Sequence, residues 1–129
     1  MDSVTPILLI EDDAQLARST TRWLRRVFPD AFIAHAYDAN QAILLLTTNP
    51  GTWQIVVSDY DLGGGRGGDD VLRFLQRSAP ELVPHFVFFS SSPEARELAP
   101  TIDKPSSYEE FETIVQAARR GIAATEAVL

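Results

Sequence analysis

The chain has 129 residues, 45% of them hydrophobic, with 18 acidic against 11 basic side chains and a net charge of −7. This is the length of one domain with a sizeable core and too apolar for disorder, and its acidic balance opposes direct binding to DNA or RNA. No apolar stretch nears the ~20 residues of a membrane span and no signal peptide is expected, while the absence of cysteine removes disulfides and thiolate metal sites and fits a reducing cytoplasm.

Short apolar runs alternate with helical patterns along the whole chain, which predicts βαβ units and a parallel sheet. The first strand covers about Pro6 to Ile10 and runs straight into Glu11-Asp12-Asp13. A helix follows with Leu16, Thr20, Trp23, Leu24 and Val27 on its core side, and Pro29 ends it. Its other side carries Arg18, Arg22, Arg25 and Arg26 at helical spacing, either a solvated face or a docking surface for an acidic partner. The second strand is about Ala31 to His35. Asp38 and Gln41 predict a capping box for the second helix, which closes near Pro50-Gly51.

The third strand, Gln54 to Ser58, ends in Asp59, and the third helix carries Val71, Leu72, Phe74 and Leu75 and stops before Pro80. The fourth strand, about His85 to Phe89, is apolar nearly throughout, as a strand covered on both faces should be, and ends in Ser90. Only fourteen positions separate Ser90 from Lys104, the sole lysine. Ser92-Pro93 reads as a helix start, but Pro100 forbids helix beyond about Leu98, so the fourth helix is expected to be a stub. A fifth strand over Thr101 to Asp103 leads to Lys104-Pro105. The last helix opens at Ser107 with Glu110 completing a second capping box, turns Phe111, Ile114, Val115, Ala118 and Ile122 inward, and is expected to run close to Leu129.

With right-handed crossovers these elements predict an α/β, doubly wound, flavodoxin-like five-stranded parallel sheet in the order 2-1-3-4-5, as one domain over residues 1–129 with no effector domain. Strands one and three then lie side by side, and Glu11, Asp12 and Asp59 meet at the carboxyl edge. Carboxylates a few ångströms apart repel, so the cluster calls for a cation or a raised pKa. Mg²⁺ suits it, because that ion takes few protein carboxylates, keeps waters and bridges to phosphate oxygens.

The acidic pair Glu11-Asp12 after strand one, Asp59 ending strand three, Ser90 ending strand four and Lys104-Pro105 after strand five resemble, in that order and over nearly the whole chain, the response-regulator receiver domain of two-component signalling. The resemblance implies a phosphoacceptor rather than a turnover enzyme. Asp59 would take a phosphoryl group from a phosphohistidine of a histidine kinase or histidine phosphotransfer protein, hold it as an acyl phosphate and hydrolyse it slowly. Asp12, Asp59 and the backbone carbonyl of Asp61 would ligate Mg²⁺, with Glu11 acting through water. Ser90 would hydrogen-bond a phosphoryl oxygen, and Lys104, behind a cis bond to Pro105, would form an ion pair with Asp59 or the phosphoryl group. Asp13, one place beyond the acidic pair, reads as a helix cap, and His35 and His85 read as structural.

This chain departs from the family at Thr101, where an aromatic residue often couples to the strand-four hydroxyl, and in the glycine-rich loop Gly63 to Gly68. With the stub helix these departures point to an output surface on helix one or five. Three other readings are weaker. Gly63, Gly65 and Gly68 satisfy G-x-G-x-x-G, but after the wrong strand for a dinucleotide. Asp59-Tyr60-Asp61 resembles the haloacid-dehalogenase phosphatase motif, but that motif belongs on a first strand. A pseudo-receiver, whose protein contacts are not controlled by phosphorylation, is the remaining alternative.

Overall fold

The alternating pattern is realised as β1 (Thr5–Ile10), α1 (Ala14–Val27), β2 (Ala31–Ala36), α2 (Ala39–Thr48), β3 (Ile55–Ser58), α3 (Gly68–Ser78), β4 (Phe86–Ser90), α4 (Pro93–Arg96), β5 (Thr101–Asp103) and α5 (Tyr108–Arg120). This is a computed structural model, and it describes residues 4–122. The strands form one parallel sheet in the order β2-β1-β3-β4-β5, as the sequence predicts.

The inner strands β1, β3 and β4 bury both faces, which is why they read as unbroken apolar runs. Leu8, Ile10, Val56, Phe86 and Phe88 point to the side covered by α2 and α3, where Leu46, Leu72 and Leu75 meet them. Ile7, Leu9, Ile55, Val57, Val87 and Ile102 point to the other side, against Leu24 of α1 and Phe111 and Val115 of α5. Each of these fully buried side chains contributes about 1.5–3 kcal/mol of apolar transfer. That is enough to fix the register, since a one-residue slip would exchange the two faces.

Several local expectations need correction. In α1 the buried positions are Ala17, Thr20 and Leu24; Leu16 is 40% exposed, and Trp23 and Val27 are half-buried. The stripe is therefore turned so that small Ala17 rather than Leu16 meets the sheet. Asp38 accepts from Gln41 N–H at 2.8 Å, but the Gln41 amide reaches one residue further back than a capping box requires, accepting from Tyr37 N–H at 2.8 Å. In α5 Ser107 Oγ accepts from Glu110 N–H at 3.1 Å, and the reciprocal bond is not formed.

The break at Pro80 is itself ordered, as a 3₁₀ turn over Pro80–His85. Gly121, with φ of 69°, closes α5, so Ile122 lies past its end, and the expected continuation toward Leu129 falls outside the described residues. The fourth helix is the stub that Pro93 and Pro100 dictate, a single turn of four residues. Arg96 on this turn pairs with Asp103 of β5, which fastens the turn to the sheet edge.

Asp12 and Asp13 part company structurally. Asp13 is the N-cap of α1, its Oδ1 accepting from Gln15 N–H at 2.9 Å and Leu16 N–H at 3.1 Å, while the Asp12 side chain makes no such bond. Asp13→Ala is therefore expected to lower stability by about 1 kcal/mol, the usual cost of an N-cap, whereas Asp12→Ala should not lower it. Urea denaturation of the two variants beside the parent checks this.

Candidate functional site

The carboxyl ends of β1, β3, β4 and β5 deliver the polar groups. β1 ends one residue before Glu11 and β3 one residue before Asp59, and the pairing of Ile10 with Ser58 sets those two ends level. Ser90 is the last residue of β4, opposite Asp103 of β5, and Lys104 follows across a cis bond to Pro105. A carboxylate oxygen from each of Glu11, Asp12 and Asp59 lies within 4.8 Å of the others, as the strand order predicts.

Lys104 joins the two inner acids. Its Nζ donates to Glu11 Oε1 at 2.8 Å and to Asp59 Oδ2 at 3.3 Å. Glu11, 3% exposed, is the deepest member, whereas Asp12 is exposed. Asp61 N–H donates to the other Asp59 oxygen at 3.3 Å, which ties the loop after β3 to the same carboxylate. Ser90 Oγ is buried and accepts from Ser92 N–H at 3.0 Å, and no side-chain bond links it to the acids.

One ammonium between two carboxylates leaves the acids under-compensated. Burial pushes the Glu11 carboxyl above its ordinary value; the hydrogen bond and charge of Lys104 oppose this, and Asp59 adds to it. For Lys104, burial alone would lower the pKa, but the hydrogen bond to Glu11 and the charges of Asp59 and Glu11 outweigh it, and the net shift is upward.

The donor set fits a hard cation. Asp12 is exposed and its side chain bonds nothing among the described residues, and three carboxylates at this spacing are stabilised by a divalent ion. Glu11, Asp12 and Asp59 are the clustered carboxylates that could hold such an ion, and Glu11 is also bonded to Lys104.

Four further features complete the site, one of which, Gly68, is one of the two glycines that match the receiver family's turn before the third helix. His35 Nε2 lies 2.8 Å from the backbone carbonyl of Glu11 and braces the turn that carries the acids. Gly68 opens α3 where any Cβ would collide with the Asp59 carbonyl and crowd Phe88 and Ser58, so only glycine lets the chain pass beneath the site. The glycine-rich loop is held by Arg66, which donates to Asn40 Oδ1 of α2 at 2.8 Å.

The fourth is a groove of about 560 Å³ beside the acids, between α1 and the loop leading into α5. Leu16, Trp23, Phe89 and Pro105 form its apolar wall, and Lys104 reaches it from the acid cluster. The exposure of Leu16 is explained by this groove. The arginine face of α1 is also less uniform than its spacing implied. Arg25 Nη1 donates to Ala31 C=O at 3.2 Å and Arg26 stacks 4.0 Å from the centre of the Tyr108 ring, whereas Arg22 borders the groove.

No protein-family model and no curated protein sequence matches the chain. Solved structures do. A LuxR-family two-component response regulator from Aurantimonas sp. SI85-9A1 superposes with a TM-score of 0.79 at 23% identity, over 94% of this chain and 89% of that one. A response regulator receiver domain from Clostridium thermocellum gives 0.75 at 16% identity, over 97% and 99%. A CheY-like receiver domain from Methylobacillus flagellatus gives 0.73 at 21% identity, over 90% and 99%. At these identities the likeness establishes the architecture: this chain has the fold of receiver domains.

The buried acid has a consequence for stability. The folded chain holds the Glu11 proton above the ordinary value of 4.5, where the unfolded chain has released it. Stability therefore falls as pH rises from 4.5 through the raised folded value. Lys104 contributes in the opposite range, its share being present below 10.5 and lost only as pH climbs past its raised folded value. In chelator-treated protein, urea titrations between about pH 4.5 and about pH 8 should show this decline, and Glu11→Gln should remove it.

Proposed function

We propose that this chain is a phosphoacceptor domain of two-component signalling. It takes a phosphoryl group from a phosphohistidine of a histidine kinase or histidine phosphotransfer protein onto Asp59. The observation that carries the reading is the Lys104 ammonium bonded to both Glu11 and Asp59 beside an exposed Asp12, at the strand edge where a parallel sheet binds its ligands. The receiver-domain fold supports it.

An Asp59 oxygen attacks the phosphorus atom, the P–N bond to the donor imidazole breaks, and an acyl phosphate forms with the electron pair returning to the ring. Asp61 N–H and Lys104 hold the carboxylate in place for that attack. Lys104 then pairs with a phosphoryl oxygen, and Glu11 keeps the ammonium oriented through its 2.8 Å bond. Ser90, at the end of β4, donates its hydroxyl to a second phosphoryl oxygen while its lone pair stays with Ser92 N–H. Asp12, Asp59 and the Asp61 carbonyl would hold Mg²⁺, which would supply charge neutralisation for the transferring group. Later attack by water on phosphorus restores the carboxylate and releases inorganic phosphate, so each phosphoryl group is a signal with a finite lifetime.

The groove beside the site is the docking surface for the donor. A helix of the donor protein would seat an apolar side chain between Leu16, Trp23 and Pro105 and present acids to Arg18 and Arg22. We place the domain in the cytoplasm, acting through protein contacts with a downstream target and without direct DNA, RNA or membrane binding. The described residues, 4–122, form one receiver unit. No helix of the described residues is long and apolar enough to cross a membrane.

Two features favour a second reading, a pseudo-receiver whose contacts are independent of phosphorylation. Thr101 Oγ1 is committed to Ala99 C=O at 3.0 Å, and α4 is a single turn pinned by Arg96. A pull-down with and without beryllofluoride separates the readings: partners that change favour the switch, and partners that do not favour the pseudo-receiver.

Acetyl phosphate with Mg²⁺ is expected to add one phosphoryl group, seen by intact mass, which Asp59→Asn abolishes and Lys104→Ala slows by about 10²-fold. Labelling that persists in Asp59→Asn would overturn the assignment. With a protein donor, Leu16→Glu and Arg22→Glu should slow transfer while leaving acetyl phosphate labelling intact; equal loss in both assays would count against docking in the groove.

A further inference from the structure

The two edges of the sheet are protected unequally. β5 is three residues long and carries Asp103, already paired with Arg96. β2 runs for six residues, Ala31-Phe32-Ile33-Ala34-His35-Ala36, without proline, carboxylate, ammonium or guanidinium. Edge strands usually carry such groups, because open N–H and C=O groups otherwise recruit another strand. Phe32 is 57% exposed on this strand, and Leu44 is 62% exposed on α2, which packs against β1 and β2.

The open main-chain groups can be assigned one by one. Ala36 C=O accepts from Glu11 N–H at 3.0 Å, so it points into the sheet. Alternation along the ladder with β1 then turns Phe32 and Ala34 inward and Ala31, Ile33 and His35 outward. Ala31 is already satisfied, its N–H donating to Phe28 C=O at 2.9 Å and its C=O accepting from Arg25 at 3.2 Å. At the other end Tyr37 N–H is taken by Gln41 at 2.8 Å. Among the described residues nothing bonds the N–H and C=O of Ile33 or of His35, on either side of Ala34.

We propose that β2 pairs antiparallel with β2 of a second copy about a twofold axis at Ala34, continuing the sheet from one molecule into the next. In that register Ile33 of each copy faces His35 of the other and exchanges both bonds, so every open group is used. A shift of two residues either way would require Ala31 or Tyr37, whose groups are occupied. The register is therefore set by what caps the two ends. A strand from elsewhere would have to match this two-residue opening, whereas a second copy matches it by symmetry. Each molecule carries a net charge of −7, and an uncharged edge is where two such molecules meet with least repulsion. On one side of the joined sheet Phe32 and Leu44 of each copy flank the axis and lose exposed apolar surface. This association does not depend on the phosphoacceptor reading, because the edge lies across β1 from Asp59 and the pairing uses only the main chain of His35, whose ring meets the Glu11 carbonyl.

Sedimentation velocity and light scattering on the full chain, from about 10 μM to about 1 mM, test it. The mass should rise from the 14.3 kDa of one chain to twice that value. Ile33→Pro removes an outward N–H that bonds nothing among the described residues, and proline is tolerated on edge strands. With a native circular dichroism spectrum and normal acetyl phosphate labelling, this variant should stay monomeric at the highest concentration. If it does not fold, Phe32→Glu, which adds a carboxylate to the exposed edge, decides on the same terms. A parent chain that stays monomeric throughout overturns the proposal and leaves the edge to a different strand. Dimers that persist in the deciding variant overturn it too, because another surface would then hold them.

Discussion

A single ammonium group is shared by two carboxylates that arrive from distant parts of the chain. Lys104 stands 93 positions from Glu11 and 45 from Asp59, yet bonds both. Partial burial of such a trio is tolerable only because each charge has a partner; removing one partner of a buried pair typically costs about 3–5 kcal/mol. The arrangement demands that β1, β3 and β5 end at one edge, and the strand order β2-β1-β3-β4-β5 meets that demand. The core supplies the rigidity, since the apolar residues of those strands are locked between two helical layers. The charges supply the chemistry.

Lys104 also links two environments. Its Nζ belongs to the acids, while its side chain lies along the groove and passes 5.4 Å from the centre of the Phe89 ring. Phe89 packs edge-on against Phe111, and Phe111 against Trp23, with ring centres 5.5 and 5.1 Å apart. An occupant of the groove therefore touches the same lysine that holds Asp59. The groove and the acid cluster adjoin, and the residues of the one-turn α4 line neither.

Much of this was legible in the sequence, for identifiable reasons. Apolar runs ending in Glu11, Asp59, Ser90 and Lys104 announce strands whose polar ends share an edge, because parallel strands are buried on both faces and change character only where they leave the sheet. Pro93 and Pro100 bracket α4 so closely that its shortness follows from backbone chemistry alone. Other features depend on tertiary contacts that local pattern does not encode. In α1 Thr20, Trp23, Leu24 and Val27 pack as their spacing predicts, and only Leu16 departs, exposed beside the groove while Ala17 lies against the sheet. Arg25 and Arg26 belong to the exposed stripe by spacing, yet a carbonyl at the edge of β2 and the Tyr108 ring claim them. Gln41 reaches Tyr37 rather than Asp38 because the turn before α2 presents that N–H. Glycine density between positions 63 and 68 was visible, but that Gly68 runs under the Asp59 carbonyl was not.

The central claim is that these side chains form one pocket for a divalent cation and a phosphoryl group. A crystal structure of the chain grown with Mn²⁺ and beryllofluoride, with the metal located by anomalous scattering, tests it most directly. The account predicts a single metal peak ligated by Asp12, Asp59 and the Asp61 carbonyl, with beryllofluoride on Asp59 and Lys104 turned onto a fluorine. A metal bound away from the Glu11, Asp12 and Asp59 cluster, or Asp59 left unmodified with Lys104 still spanning both acids, would contradict it.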